Sequence, residues 1–239
     1  LKQKLDLINW NYKESVFFNL AWGGKEKLSD LNIERQYANV SWSMNSLEIA
    51  KELECSRFIQ IGTMEEAFAY KYLDLDHNSN SEYNRHLIYS LAKIASKNSL
   101  KARASQLGID YLYVLHSHVM GPDDDKDSFL QVTLKKLKFG EDLIFSSGEQ
   151  IFDVISLKDC CKGYFLICKN GLPSKEYWVG SGTPRKLREY VKIMYQLYPS
   201  KVKLEFGKLP YNDVKLSKKD FSIKELKNDT GYIPSSTYQ

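Results

Sequence analysis

The sequence predicts an α/β protein built on a parallel sheet with helices on both faces. Three observations carry this. Short apolar runs at 15–22, 57–63 and 109–115 lack the polar alternation of a half-exposed strand. Two long amphipathic segments, 33–54 and 86–107, separate them. The runs end at Gly23 and Gly24, at Thr63, and at Gly121 and Pro122, where the chain changes direction. Strands buried on both faces and alternating with long helices define a doubly wound parallel sheet.

In chain order, 1–14 is polar with scattered apolar residues and reads as a helix. The run 15–22 is a buried strand that stops at the glycine pair. In 33–54, Val40, Met44, Leu47, Ile49, Ala50 and Leu53 recur at helical spacing. The strand 57–63 follows. Residues 74–82 form a polar loop, and 86–107 is the second long helix. The third strand, 109–115, leads through His116 and His118 to Gly121 and Pro122. Beyond 122 the segments shorten and are broken by Gly and Pro. Helices at 129–138, 157–168 and 186–198 lie between short strands. The chain therefore divides into a domain over 1–122 and a smaller α+β lobe over 123–239, some of whose segments return to the first.

Composition excludes several classes. The 239 residues carry a net charge of +4 and a pI near 8.6. That suits an anionic small molecule and is too small a bias for nucleic acid. No apolar run is long enough to span a membrane. Cys55, Cys160, Cys161 and Cys168 have no CxxC spacing and read as reduced thiols of a cytoplasmic protein. His116 and His118 alternate ahead of Asp123, Asp124 and Asp125 without an evident third ligand, so no metal site is expected.

The chemistry centres on Tyr89 and Lys93. Four residues apart on a helix, they share one face. A nearby ammonium favours the phenolate, which makes Tyr89 a proton donor and acceptor usable near neutral pH. In a parallel sheet, ligands bind beyond the carboxyl ends of the strands, so Thr63 and the Tyr89/Lys93 pair converge on one crevice.

The pieces around this pair resemble the extended short-chain dehydrogenase/reductases, the NAD-dependent epimerase/dehydratase group that modifies nucleotide sugars. Residues 19–24 are similar to its H-L-A-W strand end. Asn39, Val40 and 45–51 are similar to its N-V…N-L-L-E-A-A-K helix. Residues 57–66 are similar to its strand with the catalytic hydroxyl. Tyr89 and Lys93 fit its Y-x-x-x-K, and 120–122 its Y-G-P. Residues 148–159, 177–188, 209–211 and 229–234 are similar to its later motifs, all in order.

The resemblance implies a Rossmann-like fold, NAD or NADP as cofactor, a nucleotide-sugar substrate and a homodimer formed through the two long helices. It implies that Thr63, Tyr89 and Lys93 are catalytic, with Thr63 holding the sugar oxygen. Leu20, Ala21 and Trp22, with Tyr89 and Lys93, flank the cofactor. Thr63, Met64, Glu65, His118 and Arg185 contact the substrate. Asn39 supports the site, and Asp159 orders a loop between the domains. Dehydratases of the group follow the catalytic Thr with Asp-Glu. Met64 stands in the Asp position and donates no proton, which leaves a 4-epimerase or a 4-keto reductase. The group's opening G-x-x-G-x-x-G turn has no counterpart, so its first two βα units, about 60 residues, are expected upstream of Leu1. A non-catalytic member of the same fold, acting as a binding or dimerisation partner, is the alternative.

Overall fold

The computed structural model describes residues 11, 14–24, 31–122, 128–198 and 202–235. The expected helix at 1–14 lies mostly outside them. Four parallel strands form the main sheet: β1 (Val16–Asn19), β2 (Arg57–Ile61), β3 (Asp110–His116) and β8 (Glu176–Val179), in the order β1-β2-β3-β8. Their register sets Phe17, Phe58 and Tyr111 side by side. These rings stack across the strands at 5.5 and 6.4 Å.

Side chains alternate across the sheet as period-2 geometry requires. Phe58, Tyr111, Tyr113 and Leu115 point to one face. There they meet Leu47 and Ala50 of α1 (Ile33–Glu52), and Leu100 and Ala104 of α3 (Leu87–Leu107). Ile59, Ile61, Leu112 and Val114 point to the other face, against Cys160 and Ile167 of α5 (Leu157–Asn170) and Leu226 of α7 (Lys224–Thr230). Both faces are covered, as the apolar runs predict.

The long helices start and stop for local reasons. Asn32 caps α1 by accepting the amide of Arg35. Helix α3 ends at Gly108, whose φ of 62° puts it in the left-handed region. The Ile109 amide then reaches back to the Ala104 carbonyl. The buried stripe of α1 (Gln36, Asn39, Ser43, Leu47, Ala50) and that of α3 (Ser90, Lys93, Ser96, Leu100, Ala104) carry small residues. These let the helices lie against each other. A helix that sequence analysis left unassigned, α2 (Glu65–Leu73), follows β2 directly.

The second half does not form a separate block. It contributes β8 to the main sheet and α5 and α7 to its second face. The remainder has its own core, in which Leu130 and Leu137 of α4 (Phe129–Phe139) meet Leu187, Val191 and Met194 of α6 (Leu187–Leu197). Short pairings frame it: β4 (His118–Met120) with β7 (Val154–Ser156), β5 (Leu143–Ile144) with β10 (Leu204–Glu205), and β6 (Ile151–Phe152) with β9 (Arg185–Lys186). Among the described residues, no helix is long and apolar enough to cross a membrane.

Helix α5 sits so close to β8 that a Cβ on Gly163 would lie 2.6 Å from Val179 Cγ1. Gly163→Val is therefore expected to destabilise the protein by about 1–3 kcal/mol through overpacking. Urea unfolding of the variant measures this; an unchanged midpoint would contradict the contact.

Candidate active site

Strand β2 delivers the site. After Ile61 the chain turns through Gly62, where a Cβ would stand 2.5 Å from Tyr113 Cε1 and 2.6 Å from Glu66 Oε1. Only glycine lets the turn pass this close. Thr63 follows, buried. Its amide donates to Glu66 Oε1 at 3.1 Å, and its hydroxyl accepts the Glu65 amide at 3.3 Å. The Thr63 side chain stands near the Tyr89 phenol and acts to lower its pKa.

Tyr89 and Lys93 stand one turn apart on α3. Lys93 is buried, with 4% of its surface exposed, and its Nζ donates to the Ile61 carbonyl at 2.9 Å. That Nζ lies 4.0 Å from the centre of the Trp22 ring and 6.0 Å from that of Tyr89. Burial lowers Lys93 to about 8, against the opposing pull of Glu66. Burial raises Tyr89 to about 12; the Thr63 side chain opposes the rise, and the charges of Glu65 and Glu66 add to it. The structure thus corrects the expectation that the lysine draws Tyr89 toward its phenolate. With the ammonium turned to Ile61, burial dominates and the phenol is the stable form.

The loop after β1 covers Lys93. Asn39 of α1 brackets Gly23, accepting its amide at 2.5 Å and donating to its carbonyl at 2.7 Å. Gln36 accepts the Trp22 indole N–H at 3.0 Å. Trp22 meets the Tyr89 ring edge-on at 6.1 Å. Leu20 and Ala21 are exposed at the strand's carboxyl end. Thus Asn39 does support the site, as the sequence suggests, and it acts by holding this loop. The three N–H donors of Lys93 spend one bond on Ile61 among the described residues, so the site retains cationic donors suited to a hydroxylated ligand.

A cavity of about 390 Å³ begins at Met64 and Glu65, the residues that follow Thr63, while Thr63, Tyr89 and Lys93 themselves do not line it. Met64, Glu65 and Phe68 of the β2–α2 connection and His86 at the start of α3 form one wall. Phe145, Phe152, Phe206 and Arg188 form the opposite wall, and Tyr211 and Asp213 close the end. Met64 and Glu65 therefore stand where a substrate is expected. His118 and Arg185 are not in the wall: His118 lies in β4 against the Phe152 ring, 5.6 Å away, and Arg185 lies in β9 beside Phe152. Arg188, on the first turn of α6, occupies the wall instead. Its guanidinium sits 4.9 Å from the centre of the Phe206 ring and pairs with Glu149 at 2.6 Å. The i, i+3 spacing of Arg188 and Val191, both in the wall, is the sequence signal that points to it. Asp159 accepts the amide of Ser235, after α7, at 2.8 Å. Among the described residues, no group of three potential ligands could hold a metal.

A parallel sheet with a Thr-Tyr-Lys trio at the carboxyl ends of its strands, beside a lobe that encloses a cavity, defines the extended short-chain dehydrogenase/reductase class. Residues 13–180 match the sequence model of the NAD dependent epimerase/dehydratase family, and the chain belongs to it. CDP-abequose synthase of Salmonella muenchen is 22% identical over 182 residues, which cover 72% of this chain and 62% of that protein. The chain thus spans less than two thirds of the curated relative it matches. Among solved structures, the UDP-glucose 4-epimerase of Thermotoga maritima with UDP-glucose superposes with a TM-score of 0.74 at 16% identity. That match covers 99% of this chain and 76% of the other. RMD from Pseudomonas aeruginosa complexed with NADPH gives 0.72 at 16% identity, over 93% and 77%.

The floor of the site is a buried carboxylate. Glu66 is fully buried, accepts the Tyr113 hydroxyl at 2.6 Å and lies 3.4 Å from Lys97 Nζ. Burial raises its pKa above 4.5, with Lys97 opposing. Between the unfolded and folded values the native state binds the extra proton, so stability falls as pH rises from about 4.5 through the folded value. Glu66→Gln abolishes this dependence. Relative to the parent, the variant is expected to gain stability between pH 4.5 and pH 7.5 in chemical denaturation; a constant difference would refute the assignment.

Proposed function

We propose that this chain forms the catalytic and substrate-binding part of an NAD(P)-dependent oxidoreductase acting at C4 of a nucleotide-activated sugar. The observation that carries this reading is the pairing of Tyr89 with the buried ammonium of Lys93 one helical turn away, beside a buried Thr63 that acts on the phenol. A phenol raised to about 12 is protonated at neutral pH. In that form it can donate a proton to the oxygen of a 4-keto sugar.

The residues divide the work. Tyr89 donates its proton to the sugar oxygen, and Thr63 fixes both that oxygen and the phenol. Lys93 would hold the cofactor's ribose with the donors not spent on Ile61, and Leu20, Ala21 and Trp22 would flank it. When bound, NADH or NADPH supplies the hydride. Met64 presents a thioether where water elimination would need a proton donor, so the reading is a reductase or an epimerase and not a dehydratase. Arg188 suits the diphosphate: its Nε is buried and has no hydrogen-bond partner among the described residues, and a guanidinium binds phosphate through paired donors. The apolar wall of Phe145, Phe152 and Phe206 suits the base. A homodimer through α1 and α3 is supported by the exposed Trp42 and Ile49 on α1; light scattering at the mass of one chain would count against it.

Two substitutions test the reading. With a 4-keto nucleotide sugar and NADPH or NADH, Tyr89→Phe is expected to lower kcat by about 100-fold or more while cofactor binding persists. Retained turnover would sink the mechanism. Arg188→Ala is expected to raise KM about 10- to 100-fold for loss of a charge-assisted phosphate contact, with kcat little changed. An unaltered KM would remove Arg188 from the substrate site.

A further inference from the structure

Lys93 and Lys97 stand one turn apart on α3, and the fold answers their charges differently. Lys97, half-buried, takes carboxylates: Glu176 at 2.8 Å and Glu66 at 3.4 Å. Lys93 is the more deeply buried, yet among the described residues no carboxylate forms an ion pair with it. Its Nζ donates to the Ile61 carbonyl and lies 4.0 Å from the centre of the Trp22 ring. At the other cation–ring contacts among the described residues the separation is 4.9 to 6.0 Å.

Buried polar groups fix that ring. Gln36, 2% exposed, accepts the indole N–H at 3.0 Å. Asn39 brackets Gly23, the next residue, and a Cβ on Gly23 would collide with the Trp42 ring, so the loop is pressed onto α1. The indole is held at its N–H and through its backbone, which keeps its face over the ammonium.

The face of an aromatic ring is negative and attracts a cation, most strongly where water is excluded. A ring differs from a carboxylate in two ways. It has no net charge, so it does not repel an anionic cofactor. It accepts only weak hydrogen bonds, so the ammonium's donors are not used up. Other charges reach Lys93 from few directions. Glu66 of α2 acts on it electrostatically, and Glu66 is shared with Lys97. On its own helix, Tyr89 presents a ring at 6.0 Å. From β2 and from the loop after β1 it meets the Ile61 carbonyl and the Trp22 indole, neither of which titrates.

We propose that the face of Trp22 serves as the counter-charge of Lys93, keeping its ammonium charged and in place, so that Trp22 is a positioning residue of the reaction. This rests on the role given to Lys93 above and adds the group that sustains it.

The test reads Lys93 itself. In the full-length protein carrying isotopically labelled lysine, the Lys93 Nζ resonance, identified by its loss in Lys93→Met, is followed against pH. Trp22→Leu is expected to lower the midpoint by about one unit, a tenfold loss of proton affinity, as for loss of a desolvated cation–π contact. Trp22→Phe, which keeps a ring, is expected to recover part of it. Site-specific replacement of Trp22 by polyfluorinated tryptophans keeps the shape and draws charge from the face; the midpoint is expected to fall as fluorines are added. With a 4-keto nucleotide sugar and NADPH or NADH, the alkaline limb of kcat/KM is expected to move with the midpoint. A midpoint unchanged or raised by fluorination would overturn the proposal, because a merely structural role survives that change. An alkaline limb that stays in place while the enzyme turns over would also overturn it. Absence of turnover would count against the reductase reading alone, and the Lys93 titration would still decide the role of Trp22.

Discussion

One buried carboxylate ties the site to the fold. Glu66 has no exposed surface, yet it joins three elements: the turn after β2 through the Thr63 amide, β3 through Tyr113, and α3 through Lys97. An ion taken out of water must be met by donors and opposite charge or it costs several kcal/mol. The turn, the strand and the helix are thereby drawn to a common point. Gly62 is the steric complement, since any side chain there would occupy the place of the carboxylate and the Tyr113 ring. The position of Thr63, and through it that of Tyr89, follows from this knot.

The same charge sets the electrostatics one layer up. Lys93 loses proton affinity to burial and regains some from Glu66. Tyr89 is raised by burial and, to a smaller extent, by Glu65 and Glu66. Two neighbours on one helix face are thus moved in opposite directions, the acid toward its protonated form and the base toward its neutral form. Desolvation disfavours each charge.

Sequence reading recovered the sheet because burial on both faces leaves a plain trace. Phe58, Ile59, Leu112 and Val114 sit in unbroken apolar runs, and their alternation between two cores needs no polar marker. The long helices were legible from the helical spacing of apolar residues such as Leu47 and Ala50. Thr63, Tyr89 and Lys93 were singled out by their order along the chain and their flanking motifs, and the structure sets Tyr89 and Lys93 one turn apart on α3. Helix α2 was not legible, since two of its three buried residues, Glu65 and Glu66, are charged, and its buried face leaves no apolar stripe in the sequence. The partnership of Glu65 with His86 spans 21 residues and exists only once β2 and α3 are set side by side. Arg185 and Arg188 are equivalent as letters; where α6 begins decides which of them faces the cavity.

The cavity's charge is arranged for exchange. Arg188 is held by Glu149, which also pairs with Lys186. Glu149 keeps 41% of its side chain exposed, so its pairing with Arg188 is a surface ion pair of small net worth. An anionic ligand that reaches Arg188 from inside competes with a solvent-facing carboxylate, and Glu149 keeps Lys186 when it yields. On the proposed reading, a diphosphate would meet the Nε of Arg188, which is buried and has no hydrogen-bond partner among the described residues. The guanidinium also rests on the Phe206 ring, which limits the ordering it would lose on changing partner. Capture of such a ligand would then amount to a change of partner by a side chain already held by the lobe.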